Sequence, residues 1–117
     1  MRPTPLLVLV LSALSGTSAL AEDPAFTAIV LGSSGGLDEG DLTSHLLAPA
    51  RSSAFVALDA GTLRVGVRRA REAGSLAGIE PPEGIPWTYD AWFLRERIRA
   101  YLVTHPHLDH VAGLVLN

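Results

Sequence analysis

Residues 105–110 of this chain are His105-Pro106-His107-Leu108-Asp109-His110. Three of the four histidines of the whole chain therefore lie within six positions, together with one aspartate. The run directly follows residues 99–104, whose apolar character predicts a strand. Because side chains alternate along an extended segment, the first two histidines face the same side and can meet one metal ion.

The aspartate and the last histidine of the run lie where the chain begins to turn. There Asp109 and His110 can face a second ion, about 3.5–4 Å from the first, which is the separation that two-metal hydrolases use. Imidazole and carboxylate ligands suit zinc, with manganese or iron as alternatives. Two such ions would hold a bridging hydroxide and stabilise charge on an attacked phosphate or carbonyl. A solvated histidine-rich loop and a purely structural metal site are the competing interpretations.

The composition further limits the possible nucleophiles, metal ligands and binding partners. The chain has 117 residues, no cysteine, 12 acidic and nine basic side chains, and a formal net charge of −3. The absence of cysteine excludes a thiol nucleophile and thiolate metal ligands, so the candidate ligands are His, Asp and Glu. The acidic balance argues against a nucleic-acid-binding domain.

The first residues have the three parts of a secretory signal peptide. Arg2 precedes an apolar run over residues 6–15, and small residues lead to Ala21. The apolar run is too short for a membrane span, which needs about 20 apolar residues. We therefore predict a signal peptide over residues 1–21, cleavage after Ala21, a secreted or periplasmic protein, and no membrane attachment after cleavage.

The rest of the chain alternates between strand and helix patterns, which predicts an α/β fold. Strands are predicted over residues 26–31, 43–47, 54–58 and 99–104. The short links between the first three favour an antiparallel meander. Amphipathic helices are predicted over residues 62–73 and 90–99, and the Gly- and Pro-rich residues 74–86 predict a loop between them. Residues 111–116 continue as a helix or as a further apolar segment.

The pattern His-x-His-x-Asp-His resembles the metal signature of the metallo-β-lactamase superfamily. With Leu108 and the apolar residues after Gly113, the string over residues 105–116 is similar to the signature of the class II cyclic-nucleotide phosphodiesterases. Three upstream strings occur in the order expected of that family, at residues 31–36, 42–47 and 58–62. The resemblance implies a metallo-β-lactamase-like αβ/βα four-layer sandwich, of which this chain supplies only the N-terminal half.

The resemblance also implies roles for the residues of the motif. His105 and His107 would bind the first metal, and Asp109 and His110 the second, with Asp109 also the expected catalytic residue. The family completes its site with a further His, a bridging Asp and a last His, all later in sequence. We therefore expect residues 22–117 to be the N-terminal part of a truncated hydrolase domain, inactive on its own.

Asp59 is the one candidate outside the motif for a supporting role. It follows a predicted strand and precedes Ala60-Gly61. In this place it resembles the buried aspartate that supports the metal loop of the superfamily through hydrogen bonds, and such support fixes ligand orientation. The alternative is an ordinary turn residue at a strand end.

Four other features favour structural roles. The glycines of residues 32–36 predict a tight turn, because the spacing fits neither common nucleotide-binding fingerprint. His45 is expected in a strand, with a substrate contact as the alternative. The arginines of the first helix are expected to face solvent; they are Arg64, Arg68, Arg69 and Arg71. An aromatic cluster is expected to pack in the core rather than stack on a nucleobase; it comprises Trp87, Tyr89, Trp92 and Phe93.

The function implied by the resemblance is hydrolysis of a 3′,5′-cyclic nucleotide, with cyclic AMP as the expected substrate, to the 5′-nucleotide. The implied partners are a small-molecule cyclic nucleotide and, in the full-length protein, a second copy in a homodimer. Two alternatives stay open. One is another secreted hydrolase of the same fold, a β-lactamase or a phosphodiesterase of the RNase Z type. The other is a non-catalytic truncated remnant.

Overall fold

The computed structural model describes residues 23–38 and 40–116, so the predicted signal peptide lies outside the described residues. The elements follow in the order β1 (Phe26–Gly32), β2 (Ser44–Pro49), β3 (Phe55–Leu58), α1 (Arg64–Glu72), α2 (Tyr89–Glu96), β4 (Ile98–Leu102) and α3 (Leu108–Leu116). The fold is therefore mixed α/β. None of the helices in the described ranges is long and apolar enough to cross a membrane.

The four strands form one sheet in the order β1-β2-β3-β4. The pairs β1–β2 and β2–β3 are antiparallel, which confirms the predicted meander. Strand β4 runs parallel to β3 and reaches it through a crossover that contains α1 and α2. Because parallel strands point the same way, the C-terminal ends of β3 and β4 lie at one edge of the sheet.

One face of the sheet packs against α1 and α2. Alternate strand residues point to this side and are buried, namely Ile29, Leu31, Leu46, Ala48, Phe55 and Ala57. The helices add Val67, Ala70, Trp92 and Phe93 to the same core. The ring centroids of Phe55 in β3 and Phe93 in α2 lie 5.6 Å apart, so β3 packs directly against α2.

The opposite face of the sheet is also apolar, but the described residues cover it only in part. One cross-strand row of this face consists of Val30, His45, Leu58 and Leu102. Val30 and Leu102, at the two ends of the row, are 60% and 59% exposed. His45 lies half-buried between them in β2, as the sequence predicts.

Helix α1 approaches β1 closely because it carries Gly66. A Cβ at this position would lie 2.6 Å from Leu31 Cβ, which is closer than real Cβ atoms come. The arginines of this helix lie at the surface, as the sequence predicts, with side-chain exposures of 43% for Arg64 and 48% for Arg69. Two of them also make structural contacts that the sequence does not indicate. Arg64 Nε donates to the buried carboxylate of Asp90 over 2.6 Å, and Arg69 donates to the backbone carbonyl of Leu31.

The second helix begins after Thr88, whose hydroxyl accepts the N–H of Ala91 as an N-cap. It ends at Glu96, three residues before the predicted end, because Ile98 joins β4 and pairs with Phe55. Sheet pairing and burial of this β-branched residue outweigh helix periodicity.

The expected packing of the aromatic cluster is confirmed for Trp92 and Phe93, which are buried. It is wrong for Trp87, which is exposed and lies under the guanidinium of Arg95. Tyr89 is partly buried against the core.

Candidate metal centre

The candidate site lies at the edge where β3 and β4 end side by side. Asp59 follows β3 directly, and the His motif follows β4. Helix α3 begins at Leu108, so Asp109 and His110 belong to its first turn, whereas His105 and His107 precede it in irregular chain. The parallel pairing thus brings Asp59 next to residues about 50 positions later in the chain.

Asp59 is buried beneath the motif and accepts hydrogen bonds from His110 of the motif and from Thr104, which precedes it. Its Oδ1 accepts the Thr104 N–H over 2.8 Å, and its Oδ2 lies 2.8 Å from Nδ1 of His110. The Thr104 hydroxyl lies 3.0 Å from both carboxylate oxygens. The φ of Asp59 is 56°, a left-handed conformation that aspartate tolerates better than most residues.

The environment of Asp59 keeps its carboxylate charged. Burial would raise its pKa, but the hydrogen bonds from Thr104 and His110 outweigh burial and hold the pKa below its ordinary value. An ionised carboxylate only accepts hydrogen bonds, so the proton of the contact with His110 lies on Nδ1. In the neutral imidazole this tautomer leaves Nε2 of His110 with a free lone pair, as a metal ligand requires.

The carboxylate of Asp109 is held by the loop between β1 and β2. Its Oδ2 accepts the N–H of Gly36 over 3.1 Å. This hydrogen bond is the main reason that the pKa of Asp109 lies below its ordinary value. Gly36 has a φ of +88°, which glycine adopts without strain. The residues predicted as a tight turn therefore belong to a longer loop that reaches the motif.

The first half of the motif, His105 and His107, is more exposed than Asp109 and His110. His105 and His107 are exposed, and their ring centroids lie 4.5 Å apart. The ring of His105 also lies 4.0 Å from that of His110, and its Nδ1 lies 3.0 Å from the Thr104 hydroxyl. The fold thus brings the three imidazoles of the motif together.

The fit of these residues to a metal ion is partial. Nε2 of His110 lies 3.7 Å from Oδ2 of Asp109. Two ligands of a tetrahedral zinc, with bonds of about 2.0–2.2 Å, are about 3.4 Å apart, so this pair has nearly the required spacing. Within residues 23–38 and 40–116, no group of three or more His, Cys, Asp or Glu side chains is already placed to hold an ion. The donor types fit zinc, and the ligand assignments stay predictions.

Backbone contacts fix the start of α3 on the turn after β3. The N–H of Ala60 donates to the carbonyl of His110, and the N–H of Gly113 donates to the carbonyl of Ala60, both over 2.7 Å. A Cβ at Gly61 would lie 2.1 Å from the carbonyl oxygen of Asp109, and one at Gly113 would lie 2.6 Å from that of Ala60. Gly61 and Gly113 therefore allow α3 to pack closely against the edge of the sheet.

Sequence reasoning missed the residues that make these supporting contacts. The roles of Thr104, Gly36 and Gly61 depend on partners distant in sequence, and no local spacing indicates them. The only available signal is the position of each residue beside a feature that was identified. Thr104 immediately precedes the motif, and Gly61 lies two residues after Asp59.

A sequence profile described as cAMP phosphodiesterases class-II matches residues 20–117 of the chain. The chain belongs to the class II cyclic AMP phosphodiesterase family. The resemblance seen at residues 105–116 is thereby confirmed. The family assignment covers β1 to α3, so all the contacts of Asp59 and Asp109 described above lie within the matched region.

Two curated relatives illustrate the match of this family member. It is 37% identical over 111 residues to a 3′,5′-cyclic-nucleotide phosphodiesterase of Aliivibrio fischeri. The alignment covers 95% of this chain and 34% of that protein. It is 43% identical over 99 residues to the cAMP/cGMP-dependent 3′,5′-cAMP/cGMP phosphodiesterase A of Dictyostelium discoideum. This second alignment covers 80% of this chain and 22% of that protein. The chain thus spans about a third or less of the length of these relatives.

The fold of this phosphodiesterase-family chain is also similar to that of a solved structure. The crystal structure of unliganded yeast PDE1 matches with a TM-score of 0.60 and 22% sequence identity. The match covers 80% of this chain and 36% of the yeast protein. At this identity the likeness supports the arrangement of strands and helices alone.

Proposed function

We propose that the native protein hydrolyses 3′,5′-cyclic nucleotides, with cyclic AMP as the first substrate to test, to 5′-nucleotides. The observation that carries this proposal is the family match over residues 20–117, which contains the His motif at the sheet edge. The relatives named above are cyclic-nucleotide phosphodiesterases, and one of them is named for both cyclic AMP and cyclic GMP.

In this proposal the motif holds two divalent metal ions. His105 and His107 would hold the first ion, and Asp109 and His110 would hold the second, which makes Asp109 the proposed catalytic residue of the described chain. The donor set favours zinc, with manganese or iron as alternatives. When bound, two such ions supply an activated water and stabilise the charge that develops on a phosphate.

The contributions of the chain itself are orientation and proton placement. Asp59 holds the proton of His110 on Nδ1 and so directs Nε2 toward the site. The Gly36 N–H occupies Oδ2 of Asp109 and limits the rotation of that carboxylate. Both contacts fix the orientation of their ligand, and the contact with Asp59 also places a proton on Nδ1 of His110.

We also propose that the complete fold is the four-layer αβ/βα sandwich of the metallo-β-lactamase superfamily. The apolar sheet face with exposed Val30 and Leu102 supports this proposal, because a second sheet packed there would bury it. Comparing the exposure of these two residues in a crystal structure of the native protein would test it. Solvent-exposed Val30 and Leu102 in that structure would contradict it.

The compartment is a separate proposal that depends on residues 1–21 alone. We propose that the protein is exported to the periplasm or secreted, with cleavage after Ala21. N-terminal sequencing of the protein recovered from its own host tests this. A mature chain that starts at Glu22 supports export, and an intact Met1 on cytoplasmic protein contradicts it.

The experiment for the activity uses the protein produced from its own gene. Cyclic AMP and cyclic GMP are supplied before and after treatment with a chelator, then again after zinc is returned. We expect hydrolysis to stop on chelation, to recover with zinc, and to be lost in His107→Ala but not in the exposed loop variant Glu83→Ala. Hydrolysis that survives both chelation and His107→Ala would contradict the proposed metal centre. Turnover of a chromogenic β-lactam without turnover of cyclic AMP would favour another hydrolase of the same fold.

A further inference from the structure

A series of contacts connects helix α1 to Asp109 through the β1–β2 loop, defined here as residues 33–43. Gly66 lets α1 approach the end of β1, as described above. Arg69 lies one turn later on the same face of the helix, since residues three apart on a helix are neighbours. The close approach therefore places the Arg69 guanidinium beside the base of the loop.

Arg69 bonds to both ends of the β1–β2 loop. Its Nη2 donates to the carbonyl of Leu31, two residues before the start of the loop, over 2.9 Å. The same atom donates to the carbonyl of Gly40, near the end of the loop, over 2.5 Å. One guanidinium thus joins the outgoing and returning arms of the loop.

Asp41 joins the two arms a second time. Its Oδ2 accepts the hydroxyl of Ser34 over 2.6 Å, and its backbone carbonyl accepts the N–H of Ser34 over 2.8 Å. The hydrogen bond from Ser34 is the main reason that the pKa of Asp41 is lowered. Asp41 Oδ1 also lies 3.5 Å from Nη2 of Arg69, so the two braces contact each other.

The far end of the loop carries the contact with the site. Gly36 donates its N–H to Oδ2 of Asp109. The next residue, Leu37, is 86% exposed. Gly35 lies close enough that a Cβ there would meet Asp109 Oδ2 at 3.4 Å. An exposed loop end of this kind depends on its braced base for its position.

We propose that Arg69 and Asp41 are positioning residues for the second metal ion. By bracing the β1–β2 loop they hold the Gly36 N–H against Asp109 and so orient the carboxylate. The inference rests on the proposed function, because it assigns a purpose to the orientation of Asp109. Stability alone does not account for the arrangement, since the Arg69 and Asp41 side chains are 48% and 33% exposed and such ion pairs add little.

The test compares Arg69→Met and Asp41→Asn with the matched control Arg68→Met in the native protein. Arg68 is the exposed neighbour of Arg69 on the same helix. Chelator-stripped protein is titrated with zinc, and hydrogen exchange of the Gly36 amide is followed in the metal-free state. We expect affinity for the zinc ion at the Asp109–His110 site to fall about 10–100-fold in both brace variants, the usual effect of losing an outer-shell partner. Affinity for the zinc ion at the His105–His107 site and both affinities of the control should not change, and exchange at Gly36 should become faster.

Two results would overturn the inference. The first is unchanged zinc affinity at the Asp109–His110 site and unchanged exchange at Gly36 in both brace variants. The second is an equal loss of zinc affinity at both sites together with a lower melting temperature, which indicates a general structural role. A wild-type protein that neither binds zinc nor hydrolyses cyclic nucleotides would instead defeat the proposed function. In that case unchanged exchange at Gly36 would still refute the brace, and faster exchange would still support it.

Discussion

The two halves of the His motif differ in how the fold holds them. The side chains of Asp109 and His110 are 19% and 16% exposed, and each has a partner from a distant element, the Gly36 N–H and Asp59. His105 and His107 are exposed, and Nδ1 of His105 contacts the hydroxyl of Thr104, its neighbour in the chain. The comparison teaches that membership of one motif does not imply one kind of support. We expect Asp109 and His110 to be ordered before metal binds, and the exposed pair to be ordered by the metal.

Among the variants that disturb the support of the motif, Gly61→Ala should have the largest effect on stability. The new Cβ would lie 2.1 Å from the carbonyl oxygen of Asp109, so the start of α3 must leave the sheet edge. We expect a loss of about 3 kcal/mol or more in the free energy of unfolding. Urea unfolding of the metal-free protein measures it. Gly40→Ala, where a Cβ meets its nearest neighbour at 3.6 Å, is the control and should behave as wild type. Equal stability of the two variants would refute the close seating of α3.

A direct test of the two halves compares His110→Ala with His107→Ala in the absence of metal. His110→Ala removes a partner of the buried Asp59 carboxylate and should cost about 2–3 kcal/mol of unfolding free energy. His107→Ala removes an exposed ring and should change stability by less than about 0.5 kcal/mol. Both variants should lose zinc. Equal stability costs in the same unfolding experiment would mean that the halves are not held differently.

A smaller effect is expected when only the charge of Asp59 is removed. Its pKa is lowered in the folded protein, so its charge stabilises the fold above the unfolded-state pKa of about 3.9, and this contribution is lost as pH falls through the folded-state pKa. Asp59→Asn should therefore cost about 1–2 kcal/mol at pH 7. The gap from wild type should narrow below about pH 4. A gap that stays constant from pH 7 to pH 3 would contradict a stabilising charge.

The smallest effect should come from Gly36→Ala, with Gly78→Ala as its matched control. Both glycines have positive φ, +88° and +80°, and a Cβ at either would meet nothing within 4 Å. Each variant should lose about 1 kcal/mol of stability through backbone strain. Only Gly36→Ala should weaken zinc binding at the Asp109–His110 site, because Gly36 and not Gly78 donates to Asp109. Equal zinc titrations for the two variants would show that the loop does not orient this ligand.

Local pattern predicted much of the fold and little of the support for the site. Alternation and helical period predicted β1 to β3 and α1, because each depends on which residues face the core. The parallel pairing of β4 with β3 could not be predicted in this way, since it depends on a crossover through two helices. That pairing is what sets Thr104 and His110 on Asp59.

The contacts of the α1 arginines show the same limit. Helical period assigned Arg64 and Arg69 to the outer side of the helix, and it carries no information about what packs against that side. Their partners are Asp90 on α2 and the backbone of the β1–β2 loop. The contact of Gly36 with Asp109 joins residues 73 positions apart, so only the assembled fold reveals it.

The most direct test of the central claim is to count the metal ions bound by the native protein while following cyclic AMP hydrolysis. The claim is that residues 105–110 form a two-metal centre for this reaction. Elemental analysis should find two divalent ions per chain in wild type, and Asp109→Asn and His107→Ala should each lose bound metal together with hydrolysis. A protein that hydrolyses cyclic AMP with no bound metal, or a His107→Ala variant that keeps two ions and the wild-type rate, would contradict the claim.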